Sequence, residues 1–259
     1  MSTWIDFTRR NDPVCKEAHM RLRHKMGTEQ FPEVLCFWTK NPAGLWNMYH
    51  REMEILIADS CIVLVQTTIN PGYQAKLEPS VDAEFWEMEK LVETLGSPQH
   101  IRGRFDPIIP GFTDFDMFVT HCTILKEYGI TDTTVNFINP EYKDARAALA
   151  TAGVGVESRT DDEKRSTLEE IVSIGREHDV AVHVCAETAR FSGNVSGLRI
   201  ASCSDPTWPE QLGYTGLEFK NRASRTGCGC CYSGDWGQYE SGGGWKCPHQ
   251  CVYCYAKKV

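Results

Sequence analysis

The sequence predicts an α/β fold of the (β/α) TIM-like barrel type, complete or partial, with a cysteine-rich extension at the C-terminal end. Short β-prone runs recur along most of the 259 residues, and amphipathic segments of helical period lie between them. Six of the 12 cysteines occur from Cys228 onward, after this pattern has ended. We therefore expect residues 1–220 to form a barrel domain. Residues 221–259 would be an extension that packs on the barrel mouth as part of the same structural unit.

The β-prone runs end in Asn-Pro, Asp-Pro or another short polar turn, which marks the loop leaving a strand. The runs are Trp4–Thr8, Val34–Trp38, Ile62–Val65, Ile101–Phe105, Val135–Ile138, Val180–Cys185 and Leu198–Ser202. The first five of the prolines recur about every thirty residues, which suits one strand plus one helix. Seven such units predict a parallel sheet that closes fully or partly into a barrel.

Two of the intervening segments have clear helix signals. In the first, Ser80 can cap a helix whose apolar face runs to Leu95 and which stops at Gly96. In the second, Asp161 or Asp162 opens a helix with apolar residues at helical spacing. Both segments place a helix between two β-prone runs, as a (β/α) repeat requires.

Composition excludes several classes of protein. A formal net charge of −8 gives no extended cationic field, which argues against tight, nonspecific binding of nucleic acid, although a local basic groove stays open. The sequence contains neither a membrane-spanning apolar run nor a signal peptide. We therefore expect a cytoplasmic protein without a membrane partner, whose cysteines bind metal or are buried instead of forming disulfides.

Polar residues follow the predicted strands, at the edge where parallel barrels carry their active sites. They include Lys40, Thr67, Arg104, Asp106, Asn136 and Glu187. We interpret Arg104 and Asp106 as an internal pair across the barrel mouth, or Arg104 as a clamp for a substrate carboxylate. Lys40 could reach the same anion or be exposed. Arg104, Asp106 and Lys40 are the candidate catalytic residues, whereas turn formation or structural salt bridges are the alternative for each polar residue.

The last three cysteines have the spacing of metal ligands. Cys247, Cys251 and Cys254 are separated by three and then two residues. Three thiolates can hold three corners of a [4Fe-4S] cluster and leave its fourth iron without a protein ligand. The alternative is a structural zinc site that uses Cys228 or Cys230 with Cys251 and Cys254, in a barrel with a binding or hydrolytic function.

The remaining cysteines are harder to assign. Cys228, Cys230 and Cys231 could bind an auxiliary cluster or zinc, provide a hydrogen-atom donor, or form a tight turn, and the sequence does not decide. Cys36 and Cys185 fall within apolar strands, so we expect them to be small buried hydrophobic residues.

The string Cys247-Pro-His-Gln-Cys251-Val-Tyr253-Cys254 resembles the signature of the radical S-adenosylmethionine (SAM) superfamily. The resemblance implies a [4Fe-4S] cluster on these three cysteines, SAM on its open iron, and Tyr253 packed beside the cluster and the adenine. It implies reductive cleavage of SAM to a 5′-deoxyadenosyl radical, with electrons from a donor such as flavodoxin or ferredoxin. Hydrogen abstraction from the substrate would then lead to rearrangement, bond cleavage or bond formation. The candidate cofactor contacts beyond the cysteines are Glu187, Tyr253, Thr67 and Asn136.

A longer stretch of the chain is similar to a narrower group, the uncharacterised domain family DUF1848. The segments that carry this similarity are Phe37–Pro42, Leu77–Pro79, Arg104–Ile108, Cys185–Glu187, Gly227–Cys230 and Cys247–Ala256. The barrel-and-cluster pattern also has some similarity to spore photoproduct lyase, so a nucleotide is one candidate substrate beside other small molecules. Radical SAM enzymes usually carry the cluster loop after the first strand. Its late position here implies a permuted arrangement, or a tail that brings the cluster to the barrel mouth.

Overall fold

A computed structural model describes residues 1–9, 11–73, 76–78, 88–139, 143–185, 191, 193–200, 202–221, 229–237 and 247–254. Within this part of the chain, eight strands form one sheet in the order β7-β6-β5-β4-β3-β2-β1-β8, and all neighbours pair in parallel. The strands are β1 (Trp4–Phe7), β2 (Val34–Thr39), β3 (Ile62–Thr68), β4 (Ile101–Ile108), β5 (Asp132–Phe137), β6 (Ala181–Val184), β7 (Arg199–Ile200) and β8 (Gly234–Asp235). The predicted parallel α/β sheet is confirmed, and every predicted β-prone run overlaps an observed strand.

The helices lie between the strands in the chain. They are α1 (Lys16–Thr28), α2 (Pro42–Ala58), α3 (Met88–Leu95), α4 (Phe115–Glu127), α5 (Lys143–Thr151), α6 (Asp161–Glu177) and α7 (Trp208–Gln211), with a 3₁₀ turn at Pro98–His100. Leu22, Met53 and Leu125 from three of these helices share one hydrophobic core with Phe37 and Val65 of the sheet. Burying this apolar surface stabilises the helical layer against one face of the sheet. None of the described helices is long and apolar enough to cross a membrane.

The other face of the sheet carries Asp6, Gln66 and Arg104, and we call it the inner face. Side chains alternate between the two faces along a strand, so these residues point away from the helical core. A smaller core that includes Trp4 and Trp208 lies on the same side. All five side chains are almost completely buried. The inner face therefore buries charged and polar groups, which need internal partners.

Strand β4 is longer than the sequence predicted. The Asp106-Pro107 pair was expected to lie in the loop after the strand, but β4 continues to Ile108. Its pairing with β5 shifts register between Phe105 and Ile108. Such an irregularity lets a proline, which has no N–H to donate, lie within a strand.

Helix α6 begins at Asp161, one of the two residues expected to open it. Thr160 is its capping residue, because the Thr160 hydroxyl accepts a hydrogen bond from the Glu163 N–H at 3.2 Å. The Glu163 carboxylate accepts the Thr160 N–H in return at 2.8 Å. This capping box satisfies N–H groups that the helix itself leaves unpaired. The predicted cap at Ser80 lies outside the described residues.

Strand β8 was not predicted, because the Gly- and Ser-rich stretch around it has no strand periodicity. Gly234 pairs with Ile5 of β1, and the Trp236 N–H donates to the Asp6 carbonyl at 3.0 Å. Two residues are too few to produce an alternating pattern that sequence reading could detect. The C-terminal extension therefore contributes one strand to the sheet.

Candidate functional site

The segment 247–254, which we call the cysteine segment, lies where the loop after β3 covers the end of the sheet. The Val252 N–H donates to the Leu77 carbonyl at 2.9 Å. Val252 and Tyr253 pack against the apolar group that contains Tyr73 and Leu77, and the two tyrosine rings meet edge to face at 6.1 Å. The segment is thus held at the C-terminal edge of the parallel strands.

A buried polar network fixes the side chain of Tyr253. The Glu78 carboxylate is 1% exposed and accepts hydrogen bonds from Lys40 Nζ at 2.9 Å, from Asn70 Nδ2 at 3.0 Å, and from the Tyr253 hydroxyl. Lys40 Nζ and Asn70 Nδ2 also donate to the Tyr253 oxygen, at 2.7 and 3.0 Å. We call Lys40, Asn70, Glu78 and Tyr253 the tyrosine network. A buried carboxylate is stable here because a cation and neutral donors surround it.

Charge in this network follows from its burial. Burial disfavours the charged form of Lys40, but the neighbouring Glu78 and Cys251 side chains outweigh this effect and raise the pKa of Lys40. Burial, with Glu78 beside it, raises the pKa of Tyr253 far above its usual value. Burial also raises the pKa of Cys251 to about 12, an effect that Lys40 opposes and that Cys247 and Cys254 reinforce. Lys40 is therefore the cation of the network, and Tyr253 keeps its proton.

Asp12, in the loop after β1, connects the loop after β2 to the cysteine segment. Its Oδ2 accepts the Lys40 backbone N–H at 2.6 Å and lies 2.8 Å from His249 Nε2. The Thr39 hydroxyl donates to the same oxygen at 3.0 Å. Burial alone would raise the pKa of Asp12, but His249 and the backbone N–H donors outweigh it and lower that pKa. A buried carboxylate thus holds two distant parts of the chain together.

The expected internal pair of Arg104 and Asp106 is present on the inner face. Arg104 donates to Asp106 Oδ2 at 2.5 Å and to Gln66 Oε1 at 3.1 Å. Its guanidinium group also lies 5.1 Å from the centre of the Trp38 ring, in cation–π contact. Burial opposes the charge of Arg104, but Asp106 outweighs it and raises the pKa of Arg104. The arginine is therefore an oriented cation.

Asn70 joins this pair to the tyrosine network. Its Oδ1 accepts the Asp106 backbone N–H at 3.1 Å, and its Nδ2 donates to the Asp106 carbonyl at 3.0 Å. The same side chain contacts Glu78 and Tyr253, as described above. Lys40, directly after β2, and Arg104, in β4, consequently belong to one continuous set of hydrogen bonds.

Beside Tyr253, the residues predicted to contact the cofactor are Thr67, Asn136 and Glu187. Thr67 lies on the face of β3 opposite Gln66, and its buried hydroxyl has no hydrogen-bond partner among the described residues. The structure does not bring Thr67 into the network, since strand alternation turns it toward the helices. Asn136 lies two residues after Thr134, the register partner of Arg104, and so shares the inner face. Glu187 lies outside the described residues.

The three cysteines of the segment differ in exposure. Cys251 is buried, whereas Cys247 and Cys254 are partly exposed. Among the described residues, no group of three or more His, Cys, Asp and Glu side chains is arranged to hold a single metal ion. A cubane cluster takes one thiolate on each iron, so its ligands need not converge on one point as zinc ligands do.

Several residues of the site were not recognised as functional in the sequence. Asp12 and Asn70 were interpreted only as turn residues before proline, and Glu78 only as part of a family-like segment. Gln66 is the residue that the sequence could have identified. It is a polar side chain within an apolar strand, and a buried polar side chain needs a hydrogen-bond partner.

Cys185 corrects one sequence expectation. It was expected to be a small buried hydrophobic residue within a strand, but it follows β6, is partly exposed, and its sulfur lies 3.8 Å from that of Cys203. The expectation failed because the apolar run extends one residue past the strand, and because the neighbouring sulfur comes from the loop after β7, which no local pattern connects to Cys185. Cys36, by contrast, is fully buried in the smaller core, as expected.

Comparison with known proteins gives a family and two remote structural likenesses. The family described as "Domain of unknown function (DUF1848)" matches residues 6–256. A candidate sugar phosphate isomerase/epimerase from Anabaena variabilis is 11% identical, with 98% of this chain and 95% of that one covered at a TM-score of 0.34. The citrate synthase SbnG is also 11% identical, with 77% and 85% covered at a TM-score of 0.30. These two likenesses are too remote to support a function. No curated protein matches the chain.

Proposed function

Because the chain belongs to the DUF1848 family, a domain family of unknown function, we propose its function from the site: a radical SAM enzyme with one [4Fe-4S] cluster on Cys247, Cys251 and Cys254. The observation that carries the proposal is the contact between the cysteine segment and the tyrosine network. Lys40 and Glu78 hold Tyr253 at the C-terminal edge of a parallel sheet, where α/β enzymes place their chemistry.

The donor set suits an iron–sulfur cluster. Three soft thiols within one short segment match the ligands that such clusters take. Lys40 is a buried cation within electrostatic range of Cys251, so it can offset the negative charge that thiolate ligands bring. When bound, the cluster would supply the electron that cleaves SAM to methionine and a 5′-deoxyadenosyl radical.

The chain's own residues would bind and orient the reactants. Arg104, held by Asp106 and stacked on Trp38, presents a fixed guanidinium group that suits an anionic or carbonyl group of the substrate. Lys40 acts through Tyr253 and is therefore a positioning residue in this proposal. Asn136 would line the same inner face, and Glu187 would bind the amino group or ribose of SAM. The substrate is a small molecule or a nucleotide.

The surrounding fold would isolate the reaction. We propose that the eight strands close, fully or nearly, into a barrel and that the cysteine segment covers its mouth. Exclusion of water would protect a carbon radical from side reactions. The electron would come from a small donor such as flavodoxin or ferredoxin, which would approach the partly exposed Cys247 and Cys254.

Anaerobic reconstitution tests this proposal. Wild-type protein treated with iron and sulfide should bind about four irons per chain and produce 5′-deoxyadenosine from SAM and a strong reductant. Cys251→Ser should lose the cluster and the product together. Cys61→Ser, which alters a buried thiol at the other end of the sheet, should keep both.

Two results would contradict the proposal. One is a colourless protein that retains stoichiometric zinc on the cysteine segment after anaerobic isolation. The other is a full iron complement with no 5′-deoxyadenosine above the background of the Cys251→Ser variant.

A further inference from the structure

Three thiols outside the cysteine segment meet on the inner face of the sheet. Cys185 follows β6, Cys203 lies after β7, and Cys230 comes from the C-terminal extension. The Cys185 and Cys203 sulfurs are 3.8 Å apart, and the Cys203 N–H donates to the Cys230 sulfur at 3.1 Å. Three separate parts of the chain thus bring these thiols together.

The surroundings favour a thiolate at Cys203. Hydrogen bonds from the Cys185 and Cys230 thiols lower the pKa of Cys203 far below its usual value, and Arg104 adds to this against the opposing effect of burial. The pKa of Cys185 is raised, chiefly because that thiol keeps its proton in the hydrogen bond to Cys203. The pair therefore combines a nucleophile with a neighbouring protonated thiol.

Hydrogen bonds fix this pair beside the polar network. Gln66 Nε2 donates to the Cys203 carbonyl at 2.6 Å, while Gln66 Oε1 accepts from Arg104. The next residue, Ser204, donates to Asp6 Oδ2 at 3.3 Å and accepts the Cys231 N–H on its carbonyl at 2.9 Å. Cys203 is 6% exposed and Cys185 is partly exposed, so a small molecule can approach from the Cys185 side.

We infer that Cys185 and Cys203 form a redox-active dithiol that reacts with small disulfides. The Cys203 thiolate attacks one sulfur of the disulfide, forming a mixed disulfide and releasing the first thiolate, which takes up a proton. Cys185 then loses its proton and attacks the Cys203 sulfur, releasing the second thiol. The protein dithiol is oxidised by two electrons to a Cys185–Cys203 disulfide, and the small disulfide is reduced to two thiols.

The geometry needs only a short movement. The two sulfurs must close from 3.8 Å to the bond length of about 2.05 Å, which side-chain rotation can supply. Metal binding is the competing use of such thiols. Within the described part of the chain these side chains do not form a group of three that could share a single ion, which argues against a zinc site but not against a cluster. Metal analysis of Cys203→Ser tests for a cluster. The inference does not depend on a cluster at the cysteine segment.

Redox titration of the full chain tests the inference. Anaerobically isolated protein would be equilibrated with mixtures of bis(2-hydroxyethyl) disulfide and 2-mercaptoethanol, quenched in acid, alkylated and mapped by mass spectrometry. We expect a linked Cys185–Cys203 peptide, a mass decrease of about 2 Da, and full reversal by dithiothreitol. The link should disappear in Cys203→Ser and Cys185→Ser, and persist in Cys61→Ser.

The controls separate this inference from the proposed function. Cys251→Ser should still form the Cys185–Cys203 disulfide even though it lacks the proposed cluster. Peptide mapping of the wild-type chain decides the result even where a variant fails to fold. The inference is overturned by either of two results. One is the absence of the link in buffers that fully oxidise the other exposed thiols. The other is a stoichiometric metal that stays bound in Cys251→Ser and is lost in Cys203→Ser.

Discussion

The Lys40 ammonium group lies 2.7 Å from the Tyr253 hydroxyl, although 213 residues separate them along the chain. Both side chains also contact Glu78, whose side chain is 1% exposed. Hydrogen bonds and ion pairs between buried charged groups are stronger than those at the surface, because the surroundings have a low dielectric constant and water does not screen the charges. The stability of the site should therefore depend on this network.

Lys40→Met should destabilise the protein strongly. It removes the cation but leaves the Glu78 carboxylate buried, so we expect the free energy of unfolding to fall by about 3–5 kcal/mol. Urea unfolding at neutral pH measures the change. Lys126→Met is the matched control, since the Lys126–Asp179 pair is exposed and its loss should leave the free energy of unfolding close to that of the wild type.

The double variant Lys40→Met/Glu78→Gln should recover part of this loss. The neutral amide introduced in place of the Glu78 carboxylate can still pair with Asn70 and Tyr253, so no uncompensated charge remains buried. A double-mutant cycle should give a coupling energy of about 1–3 kcal/mol between the two positions. Additive effects would show that the two side chains do not act as a pair.

Tyr253→Phe should loosen the cysteine segment without unfolding the sheet. The variant keeps the aromatic packing but leaves the Lys40 and Asn70 donors with one acceptor fewer. We therefore expect the free energy of unfolding to fall by about 1–3 kcal/mol. Limited proteolysis should then cleave near the C-terminus faster than in the wild type. Tyr214→Phe, at an exposed tyrosine, should change neither quantity by more than the error. Equal cleavage rates in all three proteins would contradict the prediction.

Two helical glycines should respond to alanine in opposite directions. A methyl group on Gly175 in α6 would lie 2.7 Å from the Val180 carbonyl oxygen, a backbone atom that cannot move aside, so Gly175→Ala should destabilise by about 1–3 kcal/mol. Gly27 in α1 has open space around it, and Gly27→Ala should stabilise by about 0.5–1 kcal/mol. Thermal unfolding should show a lower melting temperature than the wild type for Gly175→Ala and a higher one for Gly27→Ala. Melting temperatures that change in the same direction in both variants would contradict this account.

The sequence predicted the strands well because each carries its own local signal. Apolar runs that end in Asn-Pro or Asp-Pro mark a strand and its exit loop without reference to the rest of the chain. Strand β8 was not predicted, because it carries no such local signal. Its two residues, Gly234 and Asp235, pair only because β1 offers a free edge, and that edge exists only once the sheet has formed.

The site was predictable only at its strand ends. Lys40 follows the apolar run of β2, and Arg104 and Asp106 lie in the second half of β4, so their convergence could be expected from a parallel sheet. Glu78 and Cys203 could not be found in this way, because their partners lie far away along the chain and no periodicity connects them. Pairing between distant residues is a property of the folded chain that a single sequence does not show.

His121 should make the protein less stable in mild acid. Its Nδ1–H donates to the Ile69 carbonyl at 2.9 Å and its Nε2 accepts the Thr133 hydroxyl at 2.7 Å, so the ring is held neutral. Burial lowers the pKa of His121 to about 3, against about 6.5 in the unfolded chain. Between these values only the unfolded state binds the proton, so stability falls as pH drops below about 6.5. From pH 7 to pH 5 the loss from this residue should be about 2 kcal/mol. Urea unfolding of His121→Gln should show a shallower pH dependence than the wild type, and identical slopes would contradict the prediction.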